Sequence, residues 1–451
     1  MGVPKIHVNR RHARVLGAGL SVLMLVTMTL STSSAVSDGV PPTISGSVFD
    51  PLQGVQTATS VGVAKAFGTL LNRAPLNKKT AVLVEDADTH QILFSQNSDE
   101  LLAPASTIKL LTALTALKVL GSQTRFTTSV FQTNDVLTLV GGGDPTLVSA
   151  EPKHWRGKPA GVERPPSLDR LADYVAQAVT DRSHNYILNF DSSFFSGETT
   201  AKSWPAEYVS TGVVSPVTGL TVDFGVTKKD VPYGDTGSWA ATYLTKALLQ
   251  RGVLVTVGKR SDSSNVGEQI AQVQSAPVSG IVERMLTTSN NTMAEFLAHH
   301  VGKIQGHTSF DAIAQSQVNV LSSLGVDMTG SRLHDASGLS RDDRVSANTV
   351  MSALRVTSQQ LDTHWFSITG LPIAGVSGTL KDRYPTGNPG RGYVAAKTGT
   401  LTGIASLAGF VVDTDGQVLN FVFIANNASS GLELTQALDR LATALATCGC
   451  Q

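Results

Sequence analysis

A hydroxyl and an amine stand three residues apart in Ser106-Thr107-Ile108-Lys109. On a helix that spacing projects both side chains from one face, where they can meet. Serine alone attacks a carbonyl poorly at neutral pH, and a lysine can take its proton once burial or a neighbouring cation lowers the pKa of the amine. The pair therefore suits nucleophilic acyl transfer, with Ser106 as nucleophile and Lys109 as base. Of the 16 lysines in the chain, Lys109 alone has a serine three positions before it. A helix beginning here would also direct N–H groups and positive partial charge toward whatever Ser106 attacks. The competing reading of the isolated pattern is a solvated surface pair without function.

Two further segments bear on that choice. Lys397-Thr398-Gly399-Thr400 occurs once, on a predicted strand whose alternation puts Lys397 and Gly399 on the face opposite Thr398. A glycine there permits close backbone approach to a ligand. Ser289-Asn290-Asn291 leads into an apolar-patterned helix; Ser-x-Asn also occurs at Ser95, Ser183, Ser263 and Ser346, and its place between the other two segments and before that helix favours Ser289.

These residues need a scaffold, and the pattern of apolar runs supplies one. A helix over 57–71 precedes strands over 80–84 and 91–94, joined by a polar turn. Pro104-Ala105-Ser106 opens a segment with Leu110, Leu114 and Leu117 at helical spacing, stopped at Gly121, which places Ser106 in the first turn of a buried helix. Residues 126–278 change texture, to short apolar runs broken by glycine and proline with one helical stretch at 168–179, and read as one or two inserted smaller domains. Gly141-Gly142-Gly143 lacks the Lys-Ser/Thr of a phosphate loop and reads as a turn. Helical patterns return at 281–286 and 293–301. Strands follow over 393–400, 406–412 and 418–425, the last two flanking an Asp415-Gly416 turn, and a helix over 432–446 closes the chain. The expected architecture is an α/β catalytic domain from 57–125 and 279–451, an antiparallel sheet flanked by helices and built from both ends of the chain, with 126–278 inserted.

Composition is that of folded, water-soluble domains: 451 residues, 41% hydrophobic and 16% charged, which excludes disorder, collagen and coiled coil. Lys plus Arg and Asp plus Glu balance at 35 each, but four of the basic residues lie within the first 35 positions, which hold no acidic ones. The remainder is mildly acidic and has no long basic run, so sequence-independent nucleic-acid binding is not expected. The basic head, the apolar stretch 15–30 and Ser33-Ser34-Ala35 read as an export signal over 1–35, followed by a linker over 36–56. The apolar stretch is shorter than the roughly 20 residues of a bilayer span, leaving an uncleaved anchor as the alternative. Cys448 and Cys450 are the only cysteines. A bridge between such close neighbours would be strained, so they read as part of a tail dispensable for chemistry. No cofactor is expected. No metal is expected either, since His299, His300 and His334 lack the spacing of a zinc motif and read as core or solvated histidines.

Taken in order, Ser106-x-x-Lys109, Ser289-x-Asn291 and Lys397-Thr398-Gly399 resemble the active-site set of penicillin-binding proteins and serine β-lactamases. The segments His334-Asp335-Ala336-Ser337-Gly338-Leu339-Ser340-Arg341, Pro372-Ile373-Ala374-Gly375-Val376-Ser377-Gly378-Thr379-Leu380 and Gly141-Gly142-Gly143-Asp144-Pro145 narrow the resemblance to the D-alanyl-D-alanine carboxypeptidase/endopeptidase family of low-molecular-mass penicillin-binding proteins, class C type. Ala336 departs from that family, which more often has glycine there. The separation of 183 positions from Ser106 to Ser289 also resembles these carboxypeptidases, whose extra domains are inserted at that point. A serine β-lactamase is the first alternative; one of class A looks too small for such an insert and would need an acidic residue to activate a deacylating water, and the sequence offers no convincing one. A non-catalytic wall-binding protein is the second alternative, and the intact motif residues argue against it.

The resemblance implies a serine transpeptidase/β-lactamase-like fold and a hydrolase of the bond between the last two D-alanines of a peptidoglycan stem peptide. Ser106 attacks, Lys109 takes its proton, Asn291 positions Lys109 and the substrate amide, and Ser289 relays a proton to the leaving D-alanine. Lys397 with the Thr398 and Thr400 hydroxyls attracts the terminal carboxylate, Gly399 leaves room for it, and the N–H groups of Ser106 and Thr400 form an oxyanion hole. Arg341 is a cation for the free carboxylate of a diaminopimelate side chain, with a structural salt bridge as its plainer reading. Expected partners are peptidoglycan stem peptides and covalently bound β-lactam antibiotics, in the periplasm, the cell wall or on the extracytoplasmic face of the membrane.

Overall fold

The structure, a computed structural model, describes residues 57–76, 79–151, 164–227, 231–262, 267–426 and 431–450. The export signal and its linker, residues 1–56, lie outside them. The first and last parts of the described chain build one antiparallel sheet of five strands: β1 (Lys79–Asp86), β2 (Ile92–Gln96), β8 (Val394–Leu401), β9 (Ile404–Val412) and β10 (Val418–Asn426), in the order β2-β1-β10-β9-β8. The N- and C-terminal segments meet where β1 pairs with β10, Val82 opposite Phe423.

Both faces of this sheet are covered, as its strands require. Val82 and Val84, Leu407 and Val411, Phe421 and Phe423 point into one core, shared with α1 (Ser60–Phe67) and the last helix. Ala81 and Leu83, Ala408 and Phe410, Val422 and Ile424 point into the other. This period-2 alternation, apolar on both sides, marks a sheet buried between helices. At the centre of the second core lies α2 (Lys109–Leu120), in which only Lys118 and Val119 escape full burial. A helix apolar all round has to be enclosed, and α2 packs among helices from the later chain: α6 (Val278–Thr288), α7 (Asn291–Ile304), α8 (Phe310–Ser323), α9 (Ala347–Gln359) and α10 (Leu361–Thr369). Thr112 and Thr115 satisfy their hydroxyls inside this apolar setting, on the Ala336 carbonyl at 2.7 Å and the Leu111 carbonyl at 3.0 Å.

Between α2 and α6 runs a second five-stranded sheet, in the order β6-β5-β4-β3-β7. The hairpin β3 (Thr127–Thr133) and β4 (Val136–Val140) is followed by α3 (Leu168–Ala178), β5 (Tyr186–Asp191), the single turn α4 (Glu207–Ser210), α5 (Thr236–Leu249), β6 (Val255–Arg260) and β7 (Glu268–Gln274). β4, β5 and β6 run parallel, joined by helical crossovers, and their apolar faces close a separate core with Leu171, Val175, Ala240 and Leu244. The final helix is α11 (Gly431–Ala446), whose Leu434, Leu438, Leu441 and Leu445 pack on the main sheet.

The C-terminus differs from the expectation drawn for its cysteines. Cys448 and Cys450 are bridged to each other, and both are buried in the core beside α1 and α11. The Cys450 carbonyl accepts the Thr59 N–H at 2.5 Å, and a side chain at Gly62 would collide with the Cys450 backbone. Residues 448–450 are therefore a packed wall behind α1.

Candidate active site

Pro104 directs the chain into a short 3₁₀ turn, Ala105–Ile108, that runs straight into α2. Ser106 lies in that turn, and Ala105 just before it takes a left-handed φ of 47°. A non-glycine residue in that region costs on the order of 1–3 kcal/mol and persists only where its surroundings enforce it. Two glycines do so. A side chain on Gly338 (φ 78°) would sit 2.0 Å from the Ala105 carbonyl, and one on Gly399 would lie 2.8 Å from the Pro104 carbonyl and 2.9 Å from the Ser106 nitrogen. The backbone of Ser106 is thus clamped between the 334–341 segment and β8.

Lys109 is fully buried, and its ammonium head meets three oxygens: Ser106 Oγ at 2.9 Å, Asn291 Oδ1 at 2.8 Å and the Ser337 carbonyl at 2.5 Å. Burial lowers its pKa from 10.5 to about 7, against the partial opposition of Asp335, Glu295 and Asp343. A lysine half neutral at pH 7 and hydrogen-bonded to a serine hydroxyl can accept that serine's proton.

The three residues of Ser289-Asn290-Asn291 do three separate jobs. Ser289 ends α6 in a left-handed conformation (φ 56°), Asn290 caps α7 by accepting the Met293 N–H at 2.8 Å, and Asn291 is the first residue of that helix. The reversal between the two helices aims Ser289 Oγ at Lys397 Nζ, 2.8 Å away, and Asn291 at Lys109. Asn291 is itself fixed by donating its Nδ2 to the Val213 carbonyl at 2.9 Å. The rival Ser346 caps α9, accepting the Thr349 N–H, and Ser263 lies outside the described residues.

Lys397 lies on β8, buried, donating to Ser289 Oγ and to the Thr398 carbonyl at 2.7 Å. Burial pushes its amine well below the ordinary lysine value, and the nearby charges of Lys109 and Arg383 push it further. Thr398, on the other face, shares a 2.8 Å hydrogen bond with Thr379, so the 372–380 segment braces the strand. Thr400 is exposed at the end of the same face. Arg341 is exposed and donates to the Thr402 carbonyl at 2.8 Å, just past β8. Ser106, Lys109, Ser289, Asn291, Lys397 and Gly399 come together, whereas Arg341 stands at the rim. Ala336, which departs from the resembled pattern, keeps an ordinary negative φ and bonds through its backbone to Glu295 and Thr112.

Reading residue types did not single out the Ser337 and Val213 carbonyls or the buried carboxyls of Glu295, Asp335 and Asp343. Two of these contacts use backbone atoms, which leave no trace in side-chain identity. Glu295 left one usable signal, an acid in the middle of an apolar-patterned helix. His299 and His300 are buried on α7, and burial holds both neutral, at about 4 and about 3.

A serine bonded to a buried, half-neutral lysine, at the start of an enclosed helix and beside the edge strand of a two-sided antiparallel sheet, defines a serine hydrolase of the acyl-enzyme type. The family model of the D-Ala-D-Ala carboxypeptidase 3 (S13) family matches residues 64–238 and 232–445. The chain belongs to this family and is a serine-type D-Ala-D-Ala carboxypeptidase. It is 33% identical to the carboxypeptidase DacB of Mycolicibacterium smegmatis over 98% of both chains, and 28% identical to the D-alanyl-D-alanine carboxypeptidase of Actinomadura sp. over 81% of both. Its fold is that of penicillin binding protein 4 from Haemophilus influenzae, with a TM-score of 0.70 at 22% identity over 85% of this chain and 99% of the other.

Proposed function

We propose that Ser106 is the nucleophile and Lys109 the general base of a D-Ala-D-Ala carboxypeptidase acting on peptidoglycan stem peptides. The observation that carries this reading is the position of the Lys109 amine, buried among Ser106 Oγ, Asn291 Oδ1 and the Ser337 carbonyl. Ser106 attacks the carbonyl between the terminal D-alanines as its proton passes to Lys109. The oxyanion forms against the N–H groups of Ser106 and Thr400. Asn291 orients Lys109 and the substrate amide, and Ser289, in contact with Lys397, relays a proton to the departing D-alanine. Lys397 and the hydroxyls of Thr398 and Thr400 receive the terminal carboxylate. Burial favours the neutral amine at Lys397 in the free enzyme, and the arriving carboxylate supplies the charge that restores its proton. Water then hydrolyses the acyl-enzyme. The same attack on the D-alanyl bond of a cross-link makes the enzyme a D,D-endopeptidase as well.

β-Lactams present a strained amide and a carboxylate in the same arrangement and acylate Ser106. Glu295, Asp335 and Asp343 each spend carboxyl oxygens on backbone N–H groups of the 334–340 segment, a placement unlike that of an acid activating water for rapid deacylation, so release of the antibiotic is slow. Substrate and signal together put the protein outside the cytoplasmic membrane, and no helix among the described residues is long and apolar enough to cross a membrane. The sheet-bearing part of 126–278 forms a domain with its own core, inserted between the catalytic parts at 57–125 and 279–451, while Trp204 and Val214 from the same segment pack with Phe296 and Phe310 of the catalytic part. Intact mass after incubation with benzylpenicillin tests the reading: one adduct is expected, absent in Ser106→Ala. An adduct persisting in that variant removes the assignment, and rapid antibiotic turnover would favour a β-lactamase.

A further inference from the structure

The 334–341 segment reaches the reacting groups through one atom. The Ser337 carbonyl accepts from Lys109 Nζ at 2.5 Å and from Ser106 Oγ at 3.4 Å. A carbonyl can hold that position only if its loop is rigid, and the side chain that holds the loop is the buried Asp335. Its Oδ1 accepts the N–H groups of Ser337 at 3.2 Å and Gly338 at 2.7 Å. Its Oδ2 accepts the Ser340 N–H and the Trp204 indole, both at 2.7 Å. Four donors converging on one buried carboxyl suit an ionised carboxylate, an acceptor that offers no proton of its own. Trp204 comes from the inserted segment, so the loop is also tied to that part of the chain.

Next to Asp335 lies a second buried acid, Asp343. Its Oδ1 accepts the His334 N–H at 2.7 Å, while its buried Oδ2 meets no donor among the described residues and the Asp335 carboxyl is within hydrogen-bonding reach. Two adjoining buried carboxyls without a cation between them cannot both ionise. Asp335 is committed to four donors, so the proton belongs to Asp343, where it also satisfies the orphaned oxygen.

We propose that Asp335 is a positioning residue for acylation, fixing the Ser337 carbonyl against the Lys109 amine, and that Asp343 serves it as a neutral hydrogen-bond donor. This rests on the reading of Ser106 as nucleophile and Lys109 as base. The titratable groups facing Lys109 are Asp335, Asp343 and Glu295 together with Lys397. Burial and the Asp335 charge push Glu295 up to about 8 and Asp343 well above the carboxylate range. The three acids raise the Lys109 pKa only part of the way back against burial, so they orient the amine without locking a proton onto it.

The test is the pH profile of the acylation rate with benzylpenicillin, read by intact mass in wild type and variants. Asp335→Asn cannot accept all four bonds and removes the charge that favours the protonated lysine. Acylation is expected to fall at least 100-fold, with the acid limb moved to lower pH. Asp343→Leu is expected to lose at least tenfold, and Asp343→Asn, which retains a donor, to recover to within about threefold with its acid limb in place. Trp204→Phe removes a single donor and gives the readout should Asp335→Asn not fold; a loss of threefold to tenfold is expected. Wild-type rates in Trp204→Phe or Asp335→Asn overturn the inference, as does an Asp343→Asn limb displaced like that of Asp335→Asn, which would show Asp343 ionised. A wild-type chain that forms no adduct overturns the reading beneath it, and the inference with it.

Discussion

In the mechanism proposed above, the charge state of Lys109 sets the rate at which Ser106 attacks, and burial biases that state toward the neutral amine. Burial takes the amine from 10.5 to about 7, so about half the molecules hold a neutral base at pH 7. An ordinary lysine would be neutral in about one molecule in 3,000 at that pH, so the site multiplies the active base by about 10³. Below pH 7 the rate constant for acylation by benzylpenicillin should therefore fall tenfold per pH unit, and above it should level off. The antibiotic's carboxylate stays ionised throughout, so the limb belongs to the enzyme. Measuring the saturating acylation rate separately from the concentration at half-saturation isolates Lys109 from Lys397, the residue proposed to receive the carboxylate. Lys109→Arg keeps a donor and a charge, but its guanidinium does not deprotonate in this range. Its acylation at pH 7 should drop by at least about 10³-fold, a barrier increase of about 4 kcal/mol. A flat profile between pH 6 and 8, or an arginine variant acylated near the wild-type rate, would refute Lys109 as the proton acceptor.

Gly338→Ala should destabilise the fold by about 2 kcal/mol or more and slow acylation at least tenfold, because the new Cβ meets the Ala105 carbonyl at 2.0 Å with φ at 78°. Gly306→Ala, at a similar φ in open space, is the control and should cost about 1 kcal/mol in a urea titration with no change in acylation. His300 donates from Nε2 to the Gly143 carbonyl at 2.8 Å, and burial depresses it to about 3. Between that value and 6.5 the unfolded chain binds the extra proton, so stability declines as pH falls through this window, by about 1.4 kcal/mol per pH unit for this one group. His300→Gln should reduce proton uptake on unfolding at pH 5 by about one, measured from the pH dependence of the denaturant midpoint, and an unchanged uptake would show the histidine already charged. Arg341→Ala should leave penicillin acylation within about threefold yet slow cleavage of stem peptides carrying a free carboxylate on the third residue by about tenfold. Equal loss on lysine-containing peptides would assign Arg341 to the loop instead, through its bond to Thr402.

Local patterns were readable where one segment of chain decides the outcome. The strands at both ends show their period, and their joining into one sheet follows from a helix-and-hairpin start and a three-strand finish. Ser106 and Lys109 were readable because the helix itself supplies their register. The helices over 310–369 and 236–249 were not read, and their composition explains why. α8 reads Phe-Asp-Ala-Ile-Ala-Gln-Ser-Gln-Val-Asn-Val-Leu-Ser-Ser, in which serine, asparagine and glutamine blur the apolar stripe. Serine caps start α8 and α9, at Ser309 and Ser346, and a capping serine cannot be told from a reactive one by type. Ser346 and Ser289 differ in what they face: Ser346 caps α9, whereas Ser289 meets Lys397.

The glycine run Gly141-Gly142-Gly143 shows what a local reading leaves out. A turn accounts for one glycine, not for three in succession. A side chain at Gly141 would lie 2.2 Å from the Gly219 carbonyl, one at Gly142 the same distance from the Thr127 carbonyl, and one at Gly143 (φ 73°) within 2.8 Å of His300 Nε2. Three different parts of the chain therefore press on three consecutive residues. Because His300 lies on α7, whose first residue is Asn291, this loop joins the inserted sheet to the helix that holds Asn291 against Lys109. The Val213 carbonyl on Asn291 and the Trp204 indole on Asp335 make the same connection at two further points. The inserted segment is thus part of the frame that keeps Asn291 and the 334–341 segment against Lys109, and deleting it should cost acylation.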